Sequence, residues 1–194
     1  MSPDPARRSE RSRQAILTAT RELLFEVGYP KLTIEAIAAR AGVGKQTIYR
    51  WWPSKGAVMF DSLLPAPAGA PDLALPDTGD VEADLKTVLR AIAEEFGTPQ
   101  LDQMTRALAT EVHNDPALGE EMVKRLLMPQ LEATKERLRA AQAAGQLAAD
   151  LDLQAAVEIL FAPLFYRWML RIGPLTPEYA DTVAAMAVAA MRPH

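Results

Sequence analysis

At 194 residues, 49% hydrophobic and 24% charged, the chain has the composition of a soluble globular protein of one large domain or two small ones. It has no cysteine, which excludes disulfides, thiol nucleophiles and thiolate metal sites and fits a reducing, cytoplasmic setting. The net charge of −4 conceals an asymmetry: residues 1–55 carry ten Lys/Arg against five Asp/Glu, and residues 56–194 carry eleven against twenty. A basic head therefore precedes an acidic body, and only the head has the sign that attracts phosphates. No stretch near the amino end has the apolar core of a signal peptide. The most apolar helix candidate, 153–172, contains Glu158, Arg167, Arg171 and Pro163, so no membrane span is expected.

The pattern is all-α. No segment shows the strict alternation of a strand, and no hairpin turn is flanked by β-branched runs. Residues 1–9 are polar with two prolines and read as a disordered arm. A first helix is expected over about 10–27, with Ile16, Thr20, Leu23, Leu24 and Val27 on one stripe and Gly28 as its stop. Thr33 is a suitable N-cap for a second helix that buries Ile34, Ile37, Ala38 and Ala41. A third covers about 45–52, and Pro53-Ser54 ends it and caps a fourth from Lys55 to about Leu64.

Residues 65–80, with four prolines and two glycines, read as a loop, and its apolar stretch 65–76 as mobile. Further helices are expected at about 81–97, 99–113, 117–144, 153–172 and 177–191. Pro129 should kink or split the third of these. Asp152 and Thr176 serve as N-caps, with Pro177 at a first helical position. The division this gives is a head over 10–62 and a helical body over 63–194.

Residues 33–55 carry the function. Ala38, Gly42 and Ile48 stand at the spacing of a helix-turn-helix: a small residue where the helices cross, a glycine for the turn, and an apolar residue pointing back into the angle. On the helix that follows, Lys45, Gln46, Tyr49 and Arg50 share one face, and Ile48 and Trp52 the opposite one. The outward face offers a cation, an amide, a phenol and a guanidinium. Gln46 can bond adenine bidentately, and Lys45 or Arg50 can reach guanine. Thr47 and Tyr49 suit phosphates, which fix register. Thr33 and Lys55 open flanking helices where free N–H groups favour a phosphate. These seven positions, with Trp51, form the expected contact set for double-stranded DNA.

The stretch Ile16–Leu64 resembles the DNA-binding domain of the tetracycline-repressor (TetR) family of bacterial transcription regulators. The matching features are Gly28, Thr33, Ala38/Gly42, the triplet Thr47-Ile48-Tyr49, Trp52 and Ser54-Lys55. Two positions depart from the family pattern. Gly44 replaces a common Ser and caps nearly as well. Trp51 replaces a common His, and its indole either faces a phosphate or packs partly into the core. The body segment 145–170 also resembles the carboxyl-terminal half of one TetR subgroup.

The resemblance implies a homodimeric regulator, by default a repressor, on a palindromic operator, with a small apolar or amphipathic effector in the body that releases DNA. For the dimer interface it points to the last two helices, through Leu160, Leu164, Trp168, Val183, Ala187 and Met191. Helix 153–172 is apolar on every side and helix 177–191 is rich in alanine, as close helix pairing requires. The same residues also suit the core of one protomer. For a ligand pocket the candidates are Phe96, Met104, Leu108, Met122, Leu126, Phe161, Phe165 and Tyr166, whose types suit an adaptable apolar site and equally a plain core.

Nothing in the sequence points to an enzyme, a cofactor or a metal site. There are two histidines and no Cys/His cluster, and GVGK at 42–45 lacks the spacing of a phosphate-binding loop. The competing reading is a helical interaction protein that has lost DNA reading or answers to a protein partner rather than a small ligand.

Overall fold

The computed structural model describes residues 5–64 and 75–193, with side chains from residue 9 onward. The described residues contain helices and turns and no strand. They divide into two compact units. One comprises residues up to 69 together with 103–122; the other comprises 70–102 and 123–194.

In the first unit, α1 spans Pro5–Val27 and begins about five residues before the expected start. Proline is tolerated at a first helical position, and the Ala, Arg and Glu residues that follow are good helix formers. Ile16, Leu17, Ala19, Thr20, Leu23 and Leu24 are buried, whereas Val27, expected in the stripe, is exposed. The Thr20 hydroxyl is satisfied by donating to the Ile16 carbonyl at 2.8 Å. Gly28 takes φ +74, where a side chain would be strained. A 3-10 turn, Tyr29–Lys31, leads to α2, Ile34–Ala41. Thr33 caps it as expected, its Oγ1 accepting from Ala36 N.

Gly42 sits in the left-handed region at φ 67 and ψ 34, and Val43 N closes the turn by donating to Ala38 O. The next helix, α3, is short, Lys45–Tyr49. It stops three residues before the expected end because Trp52 precedes Pro53, which disfavours helical backbone there. Ser54 then caps α4, Lys55–Leu63.

The same unit holds α6, Pro99–Asn114, from Gln103 onward, and α7, Pro116–Met122, capped by Asp115. Glu111 of α6 lies on the first turn of α4. A Cβ at Gly56 would come within 2.6 Å of its carboxylate and 3.1 Å of its Cβ, so any larger residue there would have to displace the Glu111 side chain.

In the second unit, α5 (Val81–Gly97), α8 (Met128–Ala143), α9 (Leu153–Met169) and α10 (Pro177–Met191) share one core of Leu85, Leu89, Leu138, Val157, Leu160, Leu164, Ala184 and Val188. Asp152 and Thr176 cap α9 and α10, and Pro177 opens α10. The expected helix 117–144 is split: α7 passes through a π-helical segment, Val123–Leu127, into α8. Pro129 has no N–H to give the preceding turn, and that turn widens. α9 ends at Met169, short of the expected 172, and Arg171 takes a left-handed φ of 53.

Residues 65–74, most of the expected loop, lie outside the described residues. Its end, 75–80, is tied down. Arg137 of α8 donates to Asp84 of α5 at 2.9 and 2.7 Å and to the Pro76 carbonyl, while Thr78 donates to the same carboxylate. Both Arg137 and Asp84 are buried. Burial alone would raise the Asp84 carboxyl, but the bonds from Thr78 and Arg137 outweigh it and hold the group below the usual carboxylate range. Its contribution to stability is therefore present above the unfolded value, about pH 4, and is lost as pH falls through the lowered one. Asp84→Ala should destabilise by about 3–5 kcal/mol at pH 7 by stranding the buried guanidinium. In urea unfolding the gap from wild type should narrow when the measurement is repeated at pH 3.

Candidate nucleic-acid interface

A five-residue helix has little stability of its own, so α3 is placed by what it buries. Ile48 is fully buried and Trp52, just beyond the helix, is 4% exposed. Trp52 Nε1 donates to Asp61 of α4 at 2.8 Å, and Arg13 of α1 donates to the same carboxylate oxygen at 3.2 Å. Arg21 of α1 adds bonds of 2.8 and 2.6 Å to the Ser62 carbonyl. These contacts bind α1, α4 and the exit of α3 together.

The opposite face of α3 is open. Lys45, Gln46, Tyr49 and Arg50 are exposed and share that face, and Thr47 is half-buried. Trp51 is exposed, its ring 6.3 Å from that of Trp52, with the Arg50 guanidinium 6.0 Å from its centroid. Thr33 is exposed at the start of α2. Lys55 is half-buried, with its ammonium 3.9 Å from the Tyr29 ring centroid and bonded to the Tyr29 carbonyl at 3.3 Å. Burial pushes the Tyr29 phenol well above its ordinary pKa, and the neighbouring Glu111 carboxylate pushes the same way.

Three residues at or behind this face gave no sequence signal of their role. Asp61 and Tyr29 act through partners distant in the chain. Glu35, in the first turn of α2, accepts from Lys45 Nζ at 2.9 Å. Each partner's charge is favoured by that bond, which lowers the Glu35 pKa and raises that of Lys45. A second surface cluster joins Arg40 of α2 to Glu26 and Glu22 of α1 at 2.8 and 3.3 Å.

The residues considered for the body are scattered. Leu160, Leu164, Trp168, Val183, Ala187 and Met191 are all buried in the protomer's own core. The large apolar residues that α9, α10 and the turn after α9 leave exposed are Ile159, Phe165, Tyr166, Met169, Leu170, Ile172 and Met186. Of the pocket candidates, Met104 and Leu108 are buried within the first unit, where Met122 is half-buried. In the second unit Leu126 and Phe161 are half-buried, and Phe96 and Phe165 are brought together on Trp168, at centroid distances of 4.8 and 5.6 Å. The Trp168 indole donates to Asp102 at 2.5 Å. Two surface grooves, one lined by Arg11, Gln14, Thr18 and Arg40 and the other by Asp80, Glu82, Gln146 and Arg192, include none of the eight candidates. Among the described residues no cluster of His, Asp or Glu could hold a metal, and no helix is long and apolar enough to cross a membrane.

Two helices crossing at a small residue, a left-handed glycine turn, and a second helix anchored on one side and cationic on the other define a helix-turn-helix DNA-binding protein. Residues 16–61 match the bacterial regulatory proteins of the tetR family, and residues 75–187 match the tetracyclin repressor-like C-terminal domain. The chain belongs to the TetR family of transcription regulators. It is 34% identical over 172 residues to the HTH-type transcriptional regulator YdeS of Bacillus subtilis, covering 89% of this chain and 85% of that one. It is 28% identical to the DNA-binding transcriptional repressor TetR of Mycobacteroides abscessus, with 89% of each covered. The crystal structure of the TetR family transcription regulator SCO0332 superposes with a TM-score of 0.75 at 32% identity, covering 94% of this chain and 99% of that one.

Because Asp61 bonds both the buried Trp52 indole and Arg13, Asp61→Ala should leave the indole N–H without its partner and Arg13 with Glu10 alone. The expected loss is about 1–3 kcal/mol, seen as a fall in Tm, together with weaker DNA binding as α3 loosens.

Proposed function

We propose that the protein is a homodimeric repressor whose two α3 helices enter successive major grooves of a palindromic operator. The supporting observation is the outward face of α3, where Lys45, Gln46, Tyr49 and Arg50 stand exposed together while Ile48 and Trp52 fix the helix from behind. The residues that meet DNA are Thr33, Lys45, Gln46, Thr47, Tyr49, Arg50, Trp51 and Lys55. Gln46 and Arg50 read base edges, and Lys55 holds a phosphate. The DNA-reading part covers residues 10–62 and the body 63–194. In the body, the exposed apolar side chains of α9 and α10, above all Met186 at 69% exposure, support pairing with a second copy. The aromatic cluster of Phe96, Phe165 and Trp168 supports a small apolar or amphipathic effector. Such a ligand acts by favouring a head spacing that no longer fits the operator.

Site selection from random duplexes, with footprinting on DNA beside the coding sequence, tests this reading. An enriched inverted repeat supports it; no preference over scrambled competitor sinks it. Arg50→Ala and Gln46→Ala should each cost about 1–3 kcal/mol on the selected site and much less on random duplex. Lys55→Ala should weaken all duplexes alike and reduce the slope of log affinity against log salt by about one. In sedimentation, Met186→Asp should shift the dimer toward monomer, because it would bury an unpaired carboxylate at the pairing face.

A further inference from the structure

Glu35 lies in the first turn of α2, where the helix N-terminus favours a carboxylate, and beside the outward face of α3, where DNA phosphates would disfavour one. Its side chain is 66% exposed and bonded to Lys45, the first residue of α3, whose side chain is 55% exposed. An ion pair this open stabilises the fold by little, and a negative charge beside the DNA-reading face repels phosphates. Among the other described carboxylates of the head, Glu22 and Glu26 pair with Arg40 and Glu10 with Arg13 at the surface, away from the outward face of α3, and Asp61 anchors Trp52.

An ammonium beside a carboxylate has a specific complement in the major groove. A G·C pair presents two adjacent acceptors, guanine N7 and O6, next to one donor, the cytosine N4 amino group. Set against that edge, Lys45 meets both acceptors and Glu35 meets the donor. Set against A·T in the same placement, the ammonium keeps one acceptor, adenine N7, but meets the N6 donor in place of O6, and the carboxylate meets thymine O4 and the methyl group. Opening the Lys45–Glu35 bond is therefore repaid most fully by G·C: T·A offers thymine O4 to the ammonium and adenine N6 to the carboxylate, but sets the thymine methyl group where guanine has its second acceptor. We propose that Glu35 and Lys45 act as one unit that reads a single G·C base pair in each half-site, with Lys45 on guanine and Glu35 on cytosine. The inference rests on α3 entering the major groove. On any other sequence the pair stays closed, Lys45 is withheld from phosphates, and non-specific affinity is held down.

The test selects sites from a random duplex pool with wild type, E35A, K45A and the double variant. Each protein is then titrated on the wild-type site and on one with the assigned pair changed to A·T. Both side chains are exposed, so unchanged circular dichroism and Tm establish that the variants fold. For wild type the change should weaken binding about 10- to 100-fold. For all three variants it should cost under about 3-fold, at the same position. E35A should also bind scrambled duplex more tightly than wild type, with a steeper salt dependence. The inference is overturned if the two single variants relax different base pairs. It is equally overturned if E35A shifts affinity for all sequences alike and keeps the wild-type preference at every position. A wild-type chain that enriches no sequence would instead remove the DNA-reading function itself, and this inference with it.

Discussion

Burial of Ile48 and Trp52 is the constraint from which the exposed face of α3 follows. Five residues of helix make too few hydrogen bonds to offset the entropy of ordering them. Fully burying two large side chains contributes roughly 1.5–3 kcal/mol each, enough to hold α3 on α1 and α4. Asp61 then fixes the Trp52 indole in rotation, and the left-handed Gly42 sets where α3 starts. With one side of a short helix committed in this way, the remaining side is presented to solvent as a unit.

The charges of the head are organised rather than merely abundant. Arg13 and Arg21 are spent on holding α1 to α4, and Arg40 on holding α2 to α1. Lys55 is steadied by the Tyr29 ring and carbonyl, and Lys45 by Glu35. A basic composition therefore overstates the positive charge free to meet phosphates. An affinity built on fewer free cations depends more on base edges, which favours discrimination over tight non-specific binding.

The body solves a different problem. Its alanine-rich α10 lies against α5, where small side chains permit close approach, and the contact is locked at the surface by Arg90 and Asp181 at 2.6 Å. The buried Arg137–Asp84 pair ties the end of the connecting loop to two helices at once, so the start of α5 is fixed by α8 as well as by its own cap. What stays apolar and exposed on α9 and α10 is a set of large side chains pointing away from this core.

Much of the fold was legible in the chain because its signals are local. Thr33, Ser54, Asp152 and Thr176 each accept hydrogen bonds from helix N-terminal amides a few residues on, and Gly28 and Gly42 stop helices by backbone geometry. Pro53 and Pro129 act within one turn of themselves. Helix ends were less legible: α1 starts early because nothing in 5–9 forbids it, and α9 ends early in a turn where Arg171, not a glycine, takes the left-handed conformation. The burial of α9 was the hardest to read. A helix apolar all round shows that it must be covered, and not by what, so Leu160, Leu164 and Trp168 fit an interface and a core equally well. By itself the sequence determined helices, caps, the turn and the chemistry of the exposed face of α3, because each is fixed by neighbours within about four positions. Only the tertiary structure decided which apolar face each helix buries, that Asp61 anchors Trp52, and that Glu35 meets Lys45. Those pairings join residues brought together by packing, and no periodicity along the chain encodes them.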